Sequence, residues 1–198
     1  LSRELGVDFE EVGELIVVFS EEDVPKLEKL KKDAEILGVP GLEIVGKEWL
    51  REKEPNLNPD VVNALYAPTA GIISPYRFTY DLCENAVRNG VKVHTSREVE
   101  KIFPRGEGKD RFFEVVTSGG TYKTRFLVNS AGLFSDKIAK MVGIDDFRIR
   151  PRKGEEFLLD KKLEHLTNHL IFPLPTKVSK GILVIKTADG NPMIGPTA

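Results

Sequence analysis

The stretch Phe126-Leu-Val-Asn-Ser-Ala-Gly-Leu-Phe-Ser-Asp136 constrains the fold more than any other: an apolar run ends in small residues and a glycine, then opens a short amphipathic segment. Phe126, Leu127 and Val128 are apolar without alternation, which predicts a strand covered on both faces. Ser135 is placed to cap a helix that carries Ile138, Ala139 and Val142 on one face, and Gly143 is placed to end it. Asn129 to Gly132 is then a strand-to-helix turn whose backbone amides lie near the positive end of a helix, where a phosphate can be held. A plain tight connection uses the same residues, and this stretch alone leaves both readings open.

Composition narrows the classes. With 198 residues and 40% hydrophobic content, the chain suffices for one good core or two small ones. Lys and Arg number 29 against 31 Asp and Glu, so the formal charge of −2 gives no reason to expect nucleic acid as a partner. No apolar run approaches the roughly 18 residues of a membrane span. Cys83 is the only cysteine, which excludes an intrachain disulfide and a thiolate metal site and suggests a reducing, cytoplasmic setting.

Along the chain, Leu15 to Phe19 reads as a strand, and Ser20 with Asp23 has the spacing of a capping box before a surface helix carrying Leu27, Leu30, Ala34 and Leu37. Leu42 to Val45 is a short strand, and Lys47 to Glu54 a short helix stopped at Pro55, with Trp49 as a core or interdomain anchor. Val61 to Tyr66 is a strand. The helix over Tyr76 to Asn89 is expected to bury Phe78, Leu82, Ala86 and Cys83. Strands follow at Val91 to Thr95, Glu98 to Ile102, Phe112 to Thr117 and Thr121 to Val128, the last two joined by the hairpin signal Ser118-Gly119-Gly120. Phe147 to Arg150, Glu155 to Leu159, Leu170 to Phe172 and Gly181 to Lys186 are further strands.

Arg148, Arg150, Arg152 and Lys153 place four cations within six residues. In a strand the three arginines share one face, suited to a carboxylate or phosphate, while a solvated strand rim is the plain alternative. His165 and His169 have the i, i+4 spacing of a metal pair on a helix, but no third ligand is near and a polar connector is the simpler reading, so no metal is assigned. His94 is expected to face solvent from its strand. Gly106-Glu-Gly108 starts like a dinucleotide fingerprint but has no third glycine and no following helix, so it is a loop before a strand.

Val128-Asn-Ser-Ala-Gly-Leu-Phe-Ser-Asp136 resembles a nucleotide-contacting motif of the glycine/D-amino-acid oxidase type of FAD-dependent oxidoreductases. Glu54-Pro55-Asn56-Leu57, Ala67 to Ile73, Pro151 to Glu155 and Gly190 to Ala198 resemble, in the same order, the branch that contains glycerol-3-phosphate dehydrogenases and L-2-hydroxyglutarate oxidases. The resemblance implies FAD as cofactor, with Ser130, Ala131 and Gly132 near its pyrophosphate and the backbone of Val99 on its adenine. It also implies that Arg150 and Lys153 hold a small anionic substrate near the flavin ring. No catalytic base is indicated, the electron acceptor is left open, and so is peripheral membrane association of the full protein. The family's N-terminal glycine fingerprint is absent, so an internal fragment is expected, and a non-catalytic binding module is the rival from another class.

The expected fold class is α/β: a mixed-sheet substrate domain, residues 1–75 and 147–198, with part of an FAD-binding Rossmann-like domain over residues 76–146.

Overall fold

The computed structural model describes residues 1–176 and 181–197, so Ala198, the last residue of the Gly190 motif, lies outside the described residues. Contacts divide the chain into two units, Gly90–Arg152 and the remainder on either side of it.

In the larger unit the order is α1 (Ser2–Leu5), β1 (Phe9–Glu11), β2 (Glu14–Val18), α2 (Val24–Ile36), β3 (Glu43–Gly46), α3 (Lys47–Lys53), β4 (Asn63–Ala67), β5 (Gly71–Ile73) and α4 (Pro75–Arg88). The smaller unit contributes β6 (Val99–Arg105), β7 (Phe112–Thr117), β8 (Gly120–Thr124) and α5 (Ser135–Met141). The larger unit then resumes with β9 (Phe157–Leu158), β10 (Leu170–Pro173), β11 (Leu183–Lys186) and β12 (Pro192–Gly195). Its main sheet runs β3-β4-β2-β10-β11-β12-β9, mixed because β2 and β10 are parallel and the other neighbours antiparallel. The chain is thus an α/β protein with a mixed sheet.

β2 explains why this sheet forms. Its apolar run is continuous because both faces are covered. Leu15 and Val17 enter a core with Val45, Leu50, Ala64 and Ile171, while Val18 joins Leu27 of α2, Leu42 and Leu65 on the opposite face. Ser20 Oγ accepts from Glu22 N at 3.2 Å, but Asp23 pairs with Lys26 at 2.6 Å, so the expected capping box is only half made.

Glu14 opens β2 between Ala67 of β4 and Leu170 of β10. Burial raises its carboxyl pKa above the ordinary value. A raised folded-state pKa stabilises the fold only below the unfolded value, about 4.3, and that contribution is lost as pH rises through the raised value. Glu14→Gln is therefore expected to raise the melting temperature near pH 7 and to leave it unchanged near pH 3.5. Equal shifts in thermal melts at both pH values would contradict this.

In the smaller unit β6, β7 and β8 form an antiparallel meander. Ile102 and Val115 are paired and buried on one face, and Ala139 of α5 is buried with α5 packed on β6.

Several expected elements take another form. Phe126 and Val128 are 82% and 85% exposed, and neither Phe126 to Val128 nor Val91 to Thr95 is a strand. A strand needs a hydrogen-bonded neighbour, and among the described residues none lies beside these segments. Thr124 Oγ1 also donates to Phe126 O at 2.8 Å, at the point where the chain leaves β8. On α4 the buried residue is Asp81, held by Arg77 at 2.9 Å, while Leu82 stays exposed with Tyr76, Tyr80 and Val87. Phe147 to Arg150 is not a strand either, and β9 keeps only two residues of the strand expected over Glu155 to Leu159.

Candidate functional site

The turn before α5 is built by Asn129. Its Oδ1 accepts from Ala131 N at 3.3 Å and its Nδ2 donates to Ser135 O at 2.8 Å, closing Ser130, Ala131 and Gly132 into a compact loop. Gly132 has φ +55°, a left-handed backbone that favours glycine, and a Cβ there would meet open space. α5 begins at Ser135 with Phe134 in the capping position and no side-chain cap, contrary to the role expected of Ser135. Asp136 faces the other way: its Oδ2 accepts from Ile149 N at 3.2 Å.

Val99 pairs with Thr117 at the start of β6. Ser118 N donates to Glu98 O at 2.9 Å and Glu98 N donates to Ser118 Oγ at 3.1 Å, so both polar groups of Glu98 turn toward β7. Alternation along the strand then directs the N–H and C=O of Val99 to the opposite edge of β6, where no strand is paired among the described residues. That edge offers one donor and one acceptor side by side.

The four cations do not share a strand face, because residues 147–156 form no regular secondary structure. Arg148 pairs with Asp145 at 3.5 Å, Arg150 is exposed, and Lys153 Nζ lies 2.6 Å from Glu155 Oε1. Arg150 belongs to the smaller unit and Lys153 to the larger. Gly154 is needed for close approach: a Cβ there would lie 2.6 Å from Pro196 Cβ.

The histidines are placed apart. His165 sits in a 3₁₀ helix over Lys161–Leu166, while His169 lies beyond it, so the α-helical i, i+4 face does not form. Among the described residues no group of three or more His, Cys, Asp or Glu is arranged to hold a metal ion. His94 is exposed and its ring lies 5.3 Å from that of Tyr122.

His169 has a partner that the sequence does not advertise. Glu54 Oε1 accepts from His169 Nδ1 at 2.6 Å, His169 N at 2.6 Å and Asn168 N at 2.8 Å, and the Glu54 side chain is 2% exposed. Asn168 Nδ2 donates to Lys53 O at 2.7 Å, which completes a clip between the end of α3 and the start of β10. Oε1 already accepts from two backbone N–H groups, an arrangement that fits an imidazole with its proton on Nδ1. The ring packs 5.7 Å from Trp49 and edge-on to Tyr66 at 5.4 Å, so Trp49 is a core residue. The one available signal was the Glu54-Pro55-Asn56 motif, without its partner.

The mixed-sheet fold is that of a known class of enzymes, and the chain belongs to the FAD-dependent oxidoreductase family described as "DAO: FAD dependent oxidoreductase", whose family model matches residues 1–198. Among its relatives, the glycerol 3-phosphate dehydrogenase of Caloramator mitchellensis is 44% identical over 198 residues, covering 100% of this chain and 40% of the relative. An L-2-hydroxyglutarate dehydrogenase of Escherichia coli is 28% identical over 98% of this chain and 45% of its own. The FAD-bound, dithionite-reduced L-α-glycerophosphate oxidase of Mycoplasma pneumoniae superposes with a TM-score of 0.85 at 28% identity, covering 96% of this chain and 50% of that one. The chain therefore spans about half the length of the relatives it matches. No helix among the described residues is long and apolar enough to cross a membrane.

Proposed function

We propose that this chain is part of a longer FAD-dependent dehydrogenase that oxidises the secondary alcohol of sn-glycerol 3-phosphate to a ketone. The observation that carries this reading is the 44% identity to a glycerol 3-phosphate dehydrogenase along the whole chain. FAD, when bound, supplies the acceptor for the hydride that leaves the carbinol carbon. The protein's part is to hold the substrate anion and the cofactor in register.

Residues 76–146 form part of the FAD-binding domain, and residues 1–75 and 147–198 the substrate domain. The contact division falls elsewhere, at Gly90 and Arg152 with α4 in the larger unit, so this assignment rests on the family resemblance. Val99 binds the adenine through its outward N–H and C=O. Ser130, Ala131 and Gly132 lie against the pyrophosphate, which the small side chains and the open space at Gly132 suit. Arg150 and Lys153 hold the phosphate of the substrate.

Gly132 separates the cofactor role from a purely conformational one. Asn tolerates a positive φ, whereas Val does not. In the full-length protein Gly132→Asn is expected to keep the fold yet lose most of its FAD, and Gly132→Val to lose both. Flavin content measured against the thermal melt decides, and an Asn variant with full FAD would remove this turn from the cofactor site. Reduction of the bound flavin by glycerol 3-phosphate tests the activity itself.

The related L-2-hydroxyglutarate dehydrogenases favour a second reading, a 2-hydroxy acid as substrate, because a carboxylate suits the same cations.

A further inference from the structure

We propose that Glu155 is an internal competitor for the Lys153 ammonium, so that an anionic ligand binds Lys153 only by exchange with this carboxylate. The inference rests on the reading of Lys153 as a substrate contact.

Glu155 Oε1 lies 2.6 Å from Lys153 Nζ, within the distance of a charge-assisted hydrogen bond. Two further bonds fix the backbone of Glu155: its N–H donates to Thr197 Oγ1 at 3.1 Å, and its carbonyl accepts from Thr197 N at 2.8 Å. Gly154, between the two charges, packs against Pro196. The backbone under the carboxylate is thus anchored, and the lysine, on its four-carbon stem, is the partner free to turn toward a ligand.

The pair is also accessible, with side chains 82% exposed for Lys153 and 62% for Glu155. An anion reaches the ammonium from solvent without disturbing the fold. Pairs this exposed hold by no more than about a fivefold factor, so a ligand anion displaces Glu155 at a small fixed cost. The released carboxylate then repels the ligand in proportion to the ligand's charge. A phosphate group, carrying about −1.5 to −2 at pH 7, feels this more than a carboxylate does. The consequence is a site that binds its anion loosely and releases it readily.

The test uses the full-length, FAD-loaded protein with inorganic phosphate and acetate as inhibitors. In Glu155→Gln the inhibition constant for phosphate is expected to fall about two- to fivefold, that for acetate by less, and the KM for glycerol 3-phosphate to fall with kcat no higher. In a Lys153→Ala background the same substitution should have a smaller effect, because only the carboxylate's repulsion of the ligand is then removed; an effect as large as with Lys153 present would overturn the competition. Unchanged phosphate inhibition in Glu155→Gln, with Lys153→Ala weakening it, overturns the competitor role alone. Unchanged inhibition and KM in Lys153→Ala overturns both this role and the substrate contact on which it rests.

Discussion

Replacing Lys153 or Arg150 by alanine in the full-length flavoprotein is expected to lower kcat/KM for glycerol 3-phosphate by about thirty- to a thousandfold, with FAD content unchanged. On the proposed role of these cations, the cause is the loss of a charge-assisted contact to the substrate anion. Such contacts contribute about 2 to 4 kcal/mol to transition-state binding, which converts to that range of rates. Both side chains face solvent in the structure, and the partner of Lys153 is the exposed carboxylate of Glu155. Surface cations with no ligand typically change stability or activity by no more than about 0.5 kcal/mol when removed. Steady-state kinetics on the two variants therefore separate a substrate site from an ordinary rim, and activity within twofold of the parent for both would leave the phosphate without a protein contact in this stretch.

Glu54→Ala is expected to destabilise the fold by about 2 to 4 kcal/mol, because buried donors left without an acceptor each cost on the order of 1 to 3 kcal/mol. Three N–H groups lose their acceptor at once: the His169 side chain and the backbone of Asn168 and His169. Burial leaves little water to take its place. Glu54→Gln keeps an acceptor oxygen and should cost less. The exposed Asp23–Lys26 pair is the control, since removing Asp23 should change stability by less than about 1 kcal/mol. Urea midpoints with unchanged slopes are the measurement. A Glu54→Ala midpoint within about 1 kcal/mol of the parent would show that the clip is incidental.

What the sequence revealed follows from how local each signal is. β2 was legible because a continuous apolar run of β-branched residues has few other uses, and α2 because Leu27, Leu30 and Ala34 recur at helical spacing. The β7–β8 hairpin was legible from Ser118-Gly119-Gly120. Phe126 to Val128 and Val91 to Thr95 have equally good strand composition, yet composition does not supply the neighbour that a strand requires. The arginine alternation failed for the same reason, since a shared face at Arg148, Arg150 and Arg152 exists only if the ladder does.

The Glu54–His169 pair was invisible for a different reason: its members are 115 residues apart, and neither one's flanking residues predict the other. His165 and His169 drew attention by their spacing, whereas the 3₁₀ turn at Leu166 ends before the second of them. The turn over Asn129 to Gly132 was legible as a motif, but its geometry was not. Only the structure reveals that Asn129 closes the loop and that Gly132 adopts a left-handed backbone.

The most direct test of the account is anaerobic reduction of the flavin in the full-length protein, followed at the flavin absorbance band while sn-glycerol 3-phosphate, L-2-hydroxyglutarate and glycerol are added in turn. The account predicts that glycerol 3-phosphate bleaches the flavin fastest, in proportion to the ketone formed, and that glycerol, which lacks the anion, scarcely does so. A fully FAD-loaded protein whose flavin stays oxidised with glycerol 3-phosphate would contradict it.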